Sequence, residues 1–340
     1  ARVCVVNRGR AYWGTKDPSN GRVARVTADR REKSEFAEKI DAVTTLQNET
    51  WSLVADFSAY DGDDINAALQ GLRGRFHLYA YISSDSVYEV SELAGAGWQS
   101  CSDAPVSEMC SQRPANQEMR KRLRKADGYG DGKLEAEEAL AAGTGLSTHA
   151  RAIALRLPDV LGPYDDTLRL WAYWHWWHAG PDNRPQVKKP TLKRRDPSQA
   201  PDHLDPPLAF VFSRDVARFL VHLISRRLPE FSSPATCFDA VNLGCDLQLP
   251  LRSFLELLAR QAGVKVGCPV EVERPKGFLP SVDRPLPLDF RKLKESYGFT
   301  TTPLEEVLKI CAEWFAEACK SFPEEAAEAA MKLPPYARAP

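Results

Sequence analysis

The chain has 340 residues, of which 43% are hydrophobic and 27% are charged, a composition typical of a folded globular protein and unlike a disordered one. The 45 basic and 46 acidic side chains give a formal net charge of -1, so no overall field favours nucleic acid or an anionic membrane. No run approaches the ~18 apolar residues that a membrane helix needs, and we therefore expect no membrane contact.

The cysteines contain no Cys-x-x-Cys pair and no His-flanked cluster at zinc spacing, so we predict no metal site. Buried free thiols suit a reducing compartment, such as the cytoplasm or an organellar stroma or matrix. The first residue is Ala1 rather than Met and no targeting segment is visible. The sequence thus leaves open whether such a segment precedes it.

Short apolar runs alternate with amphipathic stretches over the first two thirds of the chain, a pattern typical of parallel strands joined by helical crossovers. The elements predicted there are strands at 2–7, 23–28, 51–57, 76–83 and 152–157 and helices at 32–40 and 130–140, with another helix capped by Asp61, Asp63 or Asp64. The polar stretch 92–126 is predicted to be a long loop.

A proline-rich segment, 181–207, separates these elements from the rest. Beyond it we predict strands at 208–212 and 237–243 and helices at 215–224, 251–258 and 303–318. The aromatic run 171–177 is interpreted as a helix-packing surface rather than a sugar-stacking platform.

Two segments carry hydroxyl and amine side chains in a pattern suited to catalysis. The run 83–88 (SSDSVY) ends an apolar strand, and Tyr129 and Lys133 lie near the start of a predicted helix, on one face. There the ammonium can lower the phenol pKa from its reference near ~10, because a positive neighbour favours phenolate. Taken alone, a tyrosine and a lysine at this spacing are more often two neighbouring surface residues. The strand-end serines favour a general acid and base acting on an alcohol or ketone.

With these motifs the chain resembles the extended short-chain dehydrogenase/reductases, the family of UDP-galactose epimerase and the sugar-nucleotide dehydratases. The resemblance runs over nearly the whole chain. The segments that carry it are 81–89 (YISSDSVYE), 129–138 (YGDGKLEAEE), 155–163 (LRLPDVLGP), 211–224 (VFSRDVARFLVHLI), 237–259 (CFDAVNLGCDLQLPLRSFLELLA) and 288–309 (LDFRKLKESYGFTTTPLEEVLK). These ordered matches indicate the fold and say little about the substrate.

The resemblance implies a role for each residue that matches a family motif. Tyr129 would be the proton donor and acceptor, Lys133 its pKa-lowering partner and a ribose contact, and Ser84 the substrate-polarising hydroxyl, with Ser86 beside it. Asp29 would meet the adenine amino group. The residues implied to bind the cofactor are Asn7, Arg8, Asp29, Arg30, Phe57, Ser58, Ala59, Ser83, Tyr129, Lys133, Pro158 and Val160.

The chain departs from the family pattern at its start. The family's first strand runs into a Gly-x-x-Gly-x-x-Gly turn, whose glycines let backbone amides approach the cofactor pyrophosphate. Gly95 and Gly97 neither follow a predicted strand nor open a predicted helix, so they are not that turn. We therefore expect the first strand and the turn to be missing, through truncation of the sequence or through real loss.

Two further departures affect the ligands. Asp159 stands where the family more often has Asn, which changes the hydrogen-bonding capacity beside the nicotinamide and the substrate. Asn7 stands where NAD-preferring members carry an acid, and Arg8 follows it. An arginine there would pair with a 2′-phosphate, so we predict NADP in preference to NAD. The alternative is that Arg8 is simply solvated.

The predicted fold class is α/β, a Rossmann-type doubly wound parallel sheet without its first strand, with a smaller, mostly helical C-terminal substrate domain. Residues 1–163 and 208–245 would form the NAD(P)-binding domain, 164–207 and 246–320 the substrate domain with an insertion, and 321–340 a flexible tail. The expected function is that of an NAD(P)-dependent oxidoreductase or epimerase/dehydratase acting on a hydroxyl of a sugar, sugar nucleotide or similar small molecule. A homodimer is left open.

The alternative is a protein that kept the fold and binds RNA without turnover, as some plastid relatives are thought to do. The candidate contact is a basic cluster formed by Lys188, Lys189, Lys193, Arg194 and Arg195. Because the net charge is close to zero and no aromatic residues are interleaved with these cations, nucleic acid is the weaker hypothesis. The cluster is more simply a solvated surface loop.

Overall fold

The structure is a computed structural model that describes residues 2–9, 23–47, 50–96, 105–142, 150–165, 167–178, 186–187, 207–225, 237–264, 270–271 and 287–332. The basic cluster at 188–195 lies outside these residues. Within the described ranges, no helix is long and apolar enough to cross a membrane.

Parallel strands form the centre of the molecule. The strands are β1 (Val3–Asn7), β2 (Val23–Thr27), β3 (Trp51–Asp56), β4 (Phe76–Ser84), β5 (Arg151–Leu157), β6 (Asp159–Leu161), β7 (Gln186–Val187), β8 (Phe210–Phe212), β9 (Phe238–Asn242) and β10 (Val270–Glu271). A four-stranded parallel sheet has the order β3-β4-β5-β9. In the described residues β1 and β2 form a separate parallel pair, as do β6 and β8.

Helices follow most of these strands. They are α1 (Lys33–Gln47), α2 (Gly62–Leu72), α3 (Glu92–Gly95), α4 (Gln117–Ala126), α5 (Gly128–Ala141), α6 (Arg169–His178), α7 (Ser213–Ser225), α8 (Leu251–Gln261), α9 (Arg291–Glu295), α10 (Leu304–Ser321) and α11 (Pro323–Lys332). Two 3₁₀ helices lie at Asp85–Val90 and Glu108–Ser111.

The sheet is covered on both faces, as its nearly continuous apolar strands predict. Successive side chains of a strand point to opposite faces. Tyr79 and Tyr81 of β4 therefore belong to one buried cluster, with Phe36 of α1. Leu78 belongs to another, with Phe219 of α7. The prediction of a doubly wound, Rossmann-type α/β sheet is confirmed for the residues described.

A third cluster joins the later helices of the chain. Trp171, Tyr173 and Trp174 of α6 are buried in it against Phe315 of α10. For these three side chains, the interpretation of the aromatic run as a packing surface is therefore correct.

The structure differs from the sequence prediction in two segments. The predicted loop 92–126 contains α3, a 3₁₀ helix and α4, whose Asn116 cap accepts a hydrogen bond from the Met119 amide at 2.9 Å. Only Leu123 of α4 is buried and most of its side chains are charged, so this helix offers few apolar residues from which to predict it. The predicted tail 321–340 is helical over Pro323–Lys332, because Ala326 and Ala329 pack into the C-terminal cluster.

Candidate active site

The carboxyl ends of β3, β4 and β5 meet at one edge of the sheet, the edge where open α/β sheets bind their ligands. Ser84 is the last residue of β4, and Pro158 follows β5 directly. Phe57 follows β3 in the same way and is 62% exposed. The structure therefore brings three separately predicted segments together at this edge.

Ser84 ends its strand by capping the 3₁₀ helix that follows. Its Oγ accepts a hydrogen bond from the Ser86 amide at 3.2 Å and donates one to Asp85 Oδ1 at 3.1 Å. The Ser86 hydroxyl oxygen lies 3.3 Å from Ser84 Oγ. Both serines are buried, so the predicted substrate-polarising hydroxyls form one small polar group.

Helix α5 begins at a cap that sets the positions of Tyr129 and Lys133. Asp127 accepts a hydrogen bond from the Gly130 amide at 2.9 Å, which places Tyr129 in the first turn and Lys133 one turn later. A side chain on Gly130 would collide with the Ser86 carbonyl, and one on Gly132 with the Tyr60 carbonyl. The two glycines thus let α5 approach both neighbouring loops closely.

The Lys133 ammonium is buried beneath the site, with 4% of the residue exposed. It donates hydrogen bonds to the carbonyls of Ala59 at 2.8 Å and Ile82 at 3.0 Å. Burial lowers the pKa of Lys133 to about 8, and Asp56 opposes this effect. An ammonium has three N–H donors, so one remains for a ligand.

Tyr129 differs from the expectation in its electrostatics. Its pKa is raised to about 12 rather than lowered, because burial outweighs the hydrogen bond with Ser84 and the attraction of Arg169. Lys133 cannot reverse this balance, since its ammonium lies 5.6 Å from the ring centroid and is held by two carbonyls. Nearly half of Tyr129 remains accessible. In this state the phenol is protonated at neutral pH and is a proton donor.

Asp85 is a site residue that the sequence argument passed over, although it lies inside the SSDSVY run. Its pKa is raised to about 8 by burial first and by the nearby Asp159 carboxylate second. Asp159 itself is buried and accepts a hydrogen bond from Arg169 at 3.1 Å. The predicted substrate contact Asp159 therefore has a second carboxyl group as a neighbour, beside Ser84.

The Asp85 carboxyl should make stability depend on pH. The pKa of Asp85 is about 8 in the folded protein and 3.8 in an unperturbed chain. Between these values the unfolded chain releases its proton and the folded protein keeps it, so the stability of the fold decreases as the pH rises. We expect Asp85→Asn to raise the midpoint of thermal unfolding by about 10 °C near pH 9 and by about a quarter of that shift near pH 5. Differential scanning calorimetry at both pH values measures this, and an equal shift at both would contradict it.

The predicted cofactor residues at the ends of β1 and β2 lie at the surface. The Asn7 side chain accepts a hydrogen bond from the Gly9 amide at 2.9 Å, and Arg8 is exposed. Asp29 is bound by the Arg31 amide and guanidinium, which lower the pKa of Asp29 to about 2, with a smaller effect of the same sign from Arg8.

Arg30 points inward, in contrast to its neighbour Asp29. It donates to the buried Asp56 carboxylate at 2.6 Å, and Tyr79 donates to the same oxygen at 2.5 Å. The other Asp56 oxygen accepts from the amides of Ser58 at 3.0 Å and Ala59 at 3.1 Å. Asp56 therefore shapes the predicted turn after β3 and binds one nitrogen of Arg30, whose Nε and Nη1 are buried without a hydrogen-bond partner among the described residues.

Comparison with known proteins supports the architecture. No family model matches the sequence, and no curated protein matches it. Among solved structures, UDP-glucose 4-epimerase from Thermotoga maritima, with UDP-glucose, shares 16% identity at a TM-score of 0.62 over 93% of this chain and 91% of its own. The dTDP-glucose 4,6-dehydratase of Bacillus anthracis, in complex with NAD, shares 11% at 0.63 over 91% and 84%.

A third structure agrees with these two. UDP-N-acetylglucosamine 4-epimerase from Methanobrevibacter ruminantium, in complex with UDP-N-acetylmuramic acid, shares 12% identity at a TM-score of 0.62 over 93% of this chain and 91% of its own. The chain has the epimerase/dehydratase fold. This is the fold that the six sequence segments indicate, and Ser84, Tyr129 and Lys133 lie at the carboxyl edge of its sheet.

A buried ion pair supports this edge of the epimerase/dehydratase fold. Arg156 of β5 donates to Glu137 of α5 at 2.7 and 3.1 Å, and each side chain is 3% exposed. Glu137 also accepts a hydrogen bond from Ser83 at 2.6 Å, and Arg156 donates to the Tyr88 hydroxyl at 3.2 Å. Ser83 thus anchors the end of β4 inside the protein. Glu137 and Arg156 lie in two of the recognised segments, but nothing in the sequence shows that they meet.

The described residues contain no candidate metal site. Across the described ranges, no group of three or more His, Cys, Asp and Glu side chains is arranged to hold a metal ion.

Proposed function

We propose that the protein is an NAD(P)-dependent oxidoreductase or epimerase/dehydratase that acts on a hydroxyl of a sugar, a sugar nucleotide or a similar small molecule. The observation that carries the proposal is the meeting of Ser84, Tyr129 and Lys133 at the carboxyl edge of a parallel sheet. A protonated phenol, a serine hydroxyl and an ammonium are the groups needed to move a proton at a substrate oxygen while a hydride is transferred.

Each side chain has a distinct task in this proposal. Tyr129, whose phenol is protonated, gives a proton to the substrate oxygen or takes one from it in the reverse direction. Ser84 donates a hydrogen bond to the same oxygen once its bond to Asp85 is exchanged. Lys133 stabilises negative charge on the phenol, and its remaining N–H would bind a ribose hydroxyl of the cofactor. A bound nicotinamide would supply the hydride acceptor.

The residues fit the nicotinamide half of such a cofactor. Phe57, which follows β3, and Val160 of β6 are 62% and 41% exposed and would offer apolar surface to a planar ring. Pro158 and Ala59 are buried. A glycine turn for the pyrophosphate is not found in the ranges that the structure describes, so we assign no residue to that group.

The solved structures named above support a sugar nucleotide as the substrate class and a nicotinamide as the cofactor, because one of them is with UDP-glucose and another is in complex with NAD. Residues 1–163 with 208–245 would hold the cofactor, and 164–207 with 246–320 the substrate.

A panel assay tests the proposal. The protein is incubated with UDP-glucose, UDP-N-acetylglucosamine or dTDP-glucose and with NAD⁺ or NADP⁺, and products are followed by NMR of the sugar and absorbance of the reduced nicotinamide. We expect conversion of at least one sugar, at a rate that Tyr129→Phe lowers by about 100-fold or more. Conversion that Tyr129→Phe leaves unchanged would contradict the assignment of the site.

Cofactor choice depends on Arg8 in this proposal. We expect Arg8→Ala to weaken NADP binding about 10- to 100-fold and NAD binding little, because only NADP carries the phosphate that a charge-assisted pair would hold. Isothermal titration calorimetry with both cofactors measures the effect, and Arg25→Ala, at an exposed arginine of β2, is the matched control. Equal losses of affinity for NADP and NAD would show that Arg8 does not bind the 2′-phosphate.

A further inference from the structure

Three tyrosine rings surround the Lys133 ammonium. Its Nζ lies 5.3 Å from the ring centroid of Tyr60, 4.9 Å from that of Tyr81 and 5.6 Å from that of Tyr129. Each distance is within the range of a cation–π attraction. Tyr129 belongs to the predicted site and Tyr81 to the buried strand before it. Tyr60, from the loop after β3, has no role in the function proposed above.

The Tyr60 backbone is fixed against helix α5. Its amide donates a hydrogen bond to Asp64 Oδ2 at 2.8 Å, and its carbonyl packs on Gly132, where no side chain could fit. The ring meets the Tyr129 ring edge to face, at 6.1 Å between centroids and 65° between planes. One side chain therefore touches both members of the Tyr129 and Lys133 pair.

Yet 61% of Tyr60 is exposed, so its ring contributes little to the hydrophobic core. The exposed ring is held by its backbone beside a buried ammonium and a neighbouring phenol. Folding alone explains this arrangement poorly.

We propose that Tyr60 is a positioning residue of this site, which holds the Tyr129 ring and offsets the burial of the Lys133 ammonium. The inference rests on the function proposed above for Tyr129 and Lys133. The ring faces of Tyr60 and Tyr81 compensate part of the lost hydration of the ammonium and keep it charged beside the phenol.

Opposing effects set the pKa of Lys133, so the loss of the Tyr60 ring can change the protonation of this side chain. Burial lowers the pKa of Lys133 to about 8. The groups that also act on it are Asp56 of β3, Asp64 of α2 and Glu137 of α5, which raise its pKa, and Arg30, which lowers it. Loss of one ring would shift this balance toward the neutral amine near neutral pH, where the amine no longer stabilises a phenolate.

Two substitutions separate the ring from the hydroxyl of Tyr60. Tyr60→Phe keeps the ring and Tyr60→Leu removes it. In the protein without ligands, the pH titration of the Lys133 side chain is followed by NMR of ¹³C-labelled lysine, with the signal identified by its loss in Lys133→Met. We expect the titration midpoint to fall in Tyr60→Leu and to stay close to the parent in Tyr60→Phe. Phe57→Leu, which removes a similarly exposed ring from the same loop, should not move the midpoint.

Turnover provides the second measurement. A lost cation–π contact predicts that kcat falls about 2- to 30-fold in Tyr60→Leu, that KM is unchanged, and that Tyr60→Phe restores the rate. An unchanged Lys133 midpoint in Tyr60→Leu overturns the inference, whatever the activity. If the midpoint falls while Tyr129→Phe leaves turnover intact, Tyr60 positions Lys133 as inferred and the proposed function fails instead.

Discussion

Tyr129→Phe should lower turnover by about 100- to 10,000-fold, the range that a general acid or base contributes to a proton transfer. The substitution removes the phenol and keeps the ring, so the edge contact with Tyr60 and the packing of α5 remain. The phenol of Tyr129 is protonated at neutral pH, and its proton is the one that a substrate oxygen would receive. The measurement is kcat with the sugar and cofactor that the panel assay identifies.

Cofactor affinity is the control for this variant. Lys133 keeps its hydrogen bonds to Ala59 and Ile82 without the phenol, so we expect NAD(P) binding and the midpoint of thermal unfolding to change little. A loss of turnover that follows a loss of cofactor binding would mean that Tyr129 binds rather than transfers protons. An unchanged rate would remove it from the mechanism.

The second large effect is expected at the ion pair beneath the site. Arg156→Met leaves the Glu137 carboxylate buried, 3% exposed, without its cation. Breaking one half of a buried pair costs about 3 to 5 kcal/mol of the free energy of unfolding. We therefore expect the midpoint of thermal unfolding to fall by about 6 to 20 °C.

Two variants show whether an uncompensated charge causes this loss. The double variant Arg156→Met with Glu137→Met removes both charges and should unfold at a higher temperature than Arg156→Met alone, although Ser83 loses its acceptor. Lys121→Met breaks an exposed pair with Glu118 and should change the free energy of unfolding by about 1 kcal/mol or less. If the double variant is no more stable than the single one, lost packing rather than the buried charge explains the effect.

Much of the architecture could be predicted because its signals are local. The strands around Leu78 and Ile153 are short apolar runs covered on both faces, and α8 and α10 carry apolar residues at helical spacing. Helix α4 escaped prediction because it buries a single leucine and presents charged side chains otherwise. Helix α11 escaped because its buried alanines give a weak periodic signal in a stretch that ends in prolines.

The residues of the proposed site divide in the same way. Tyr129 and Lys133 could be paired from their spacing, since the helical repeat alone places them on one face. Their electrostatics could not, because the pKa of Tyr129 depends on how deeply its hydroxyl is buried and on Ser84, a residue of another element. The role of Asp85 was not predicted for a similar reason, since the rise in its pKa comes partly from Asp159 on β6.

The sequence by itself indicated most strands of the sheet, the Rossmann-type α/β class and Ser84, Tyr129 and Lys133 as a proposed group. Only the tertiary structure decided that Glu137 meets Arg156 and that the Tyr60 ring covers the Lys133 ammonium. Periodicity and spacing act over one or two turns of chain, whereas burial and charge act through space between elements that lie far apart in sequence.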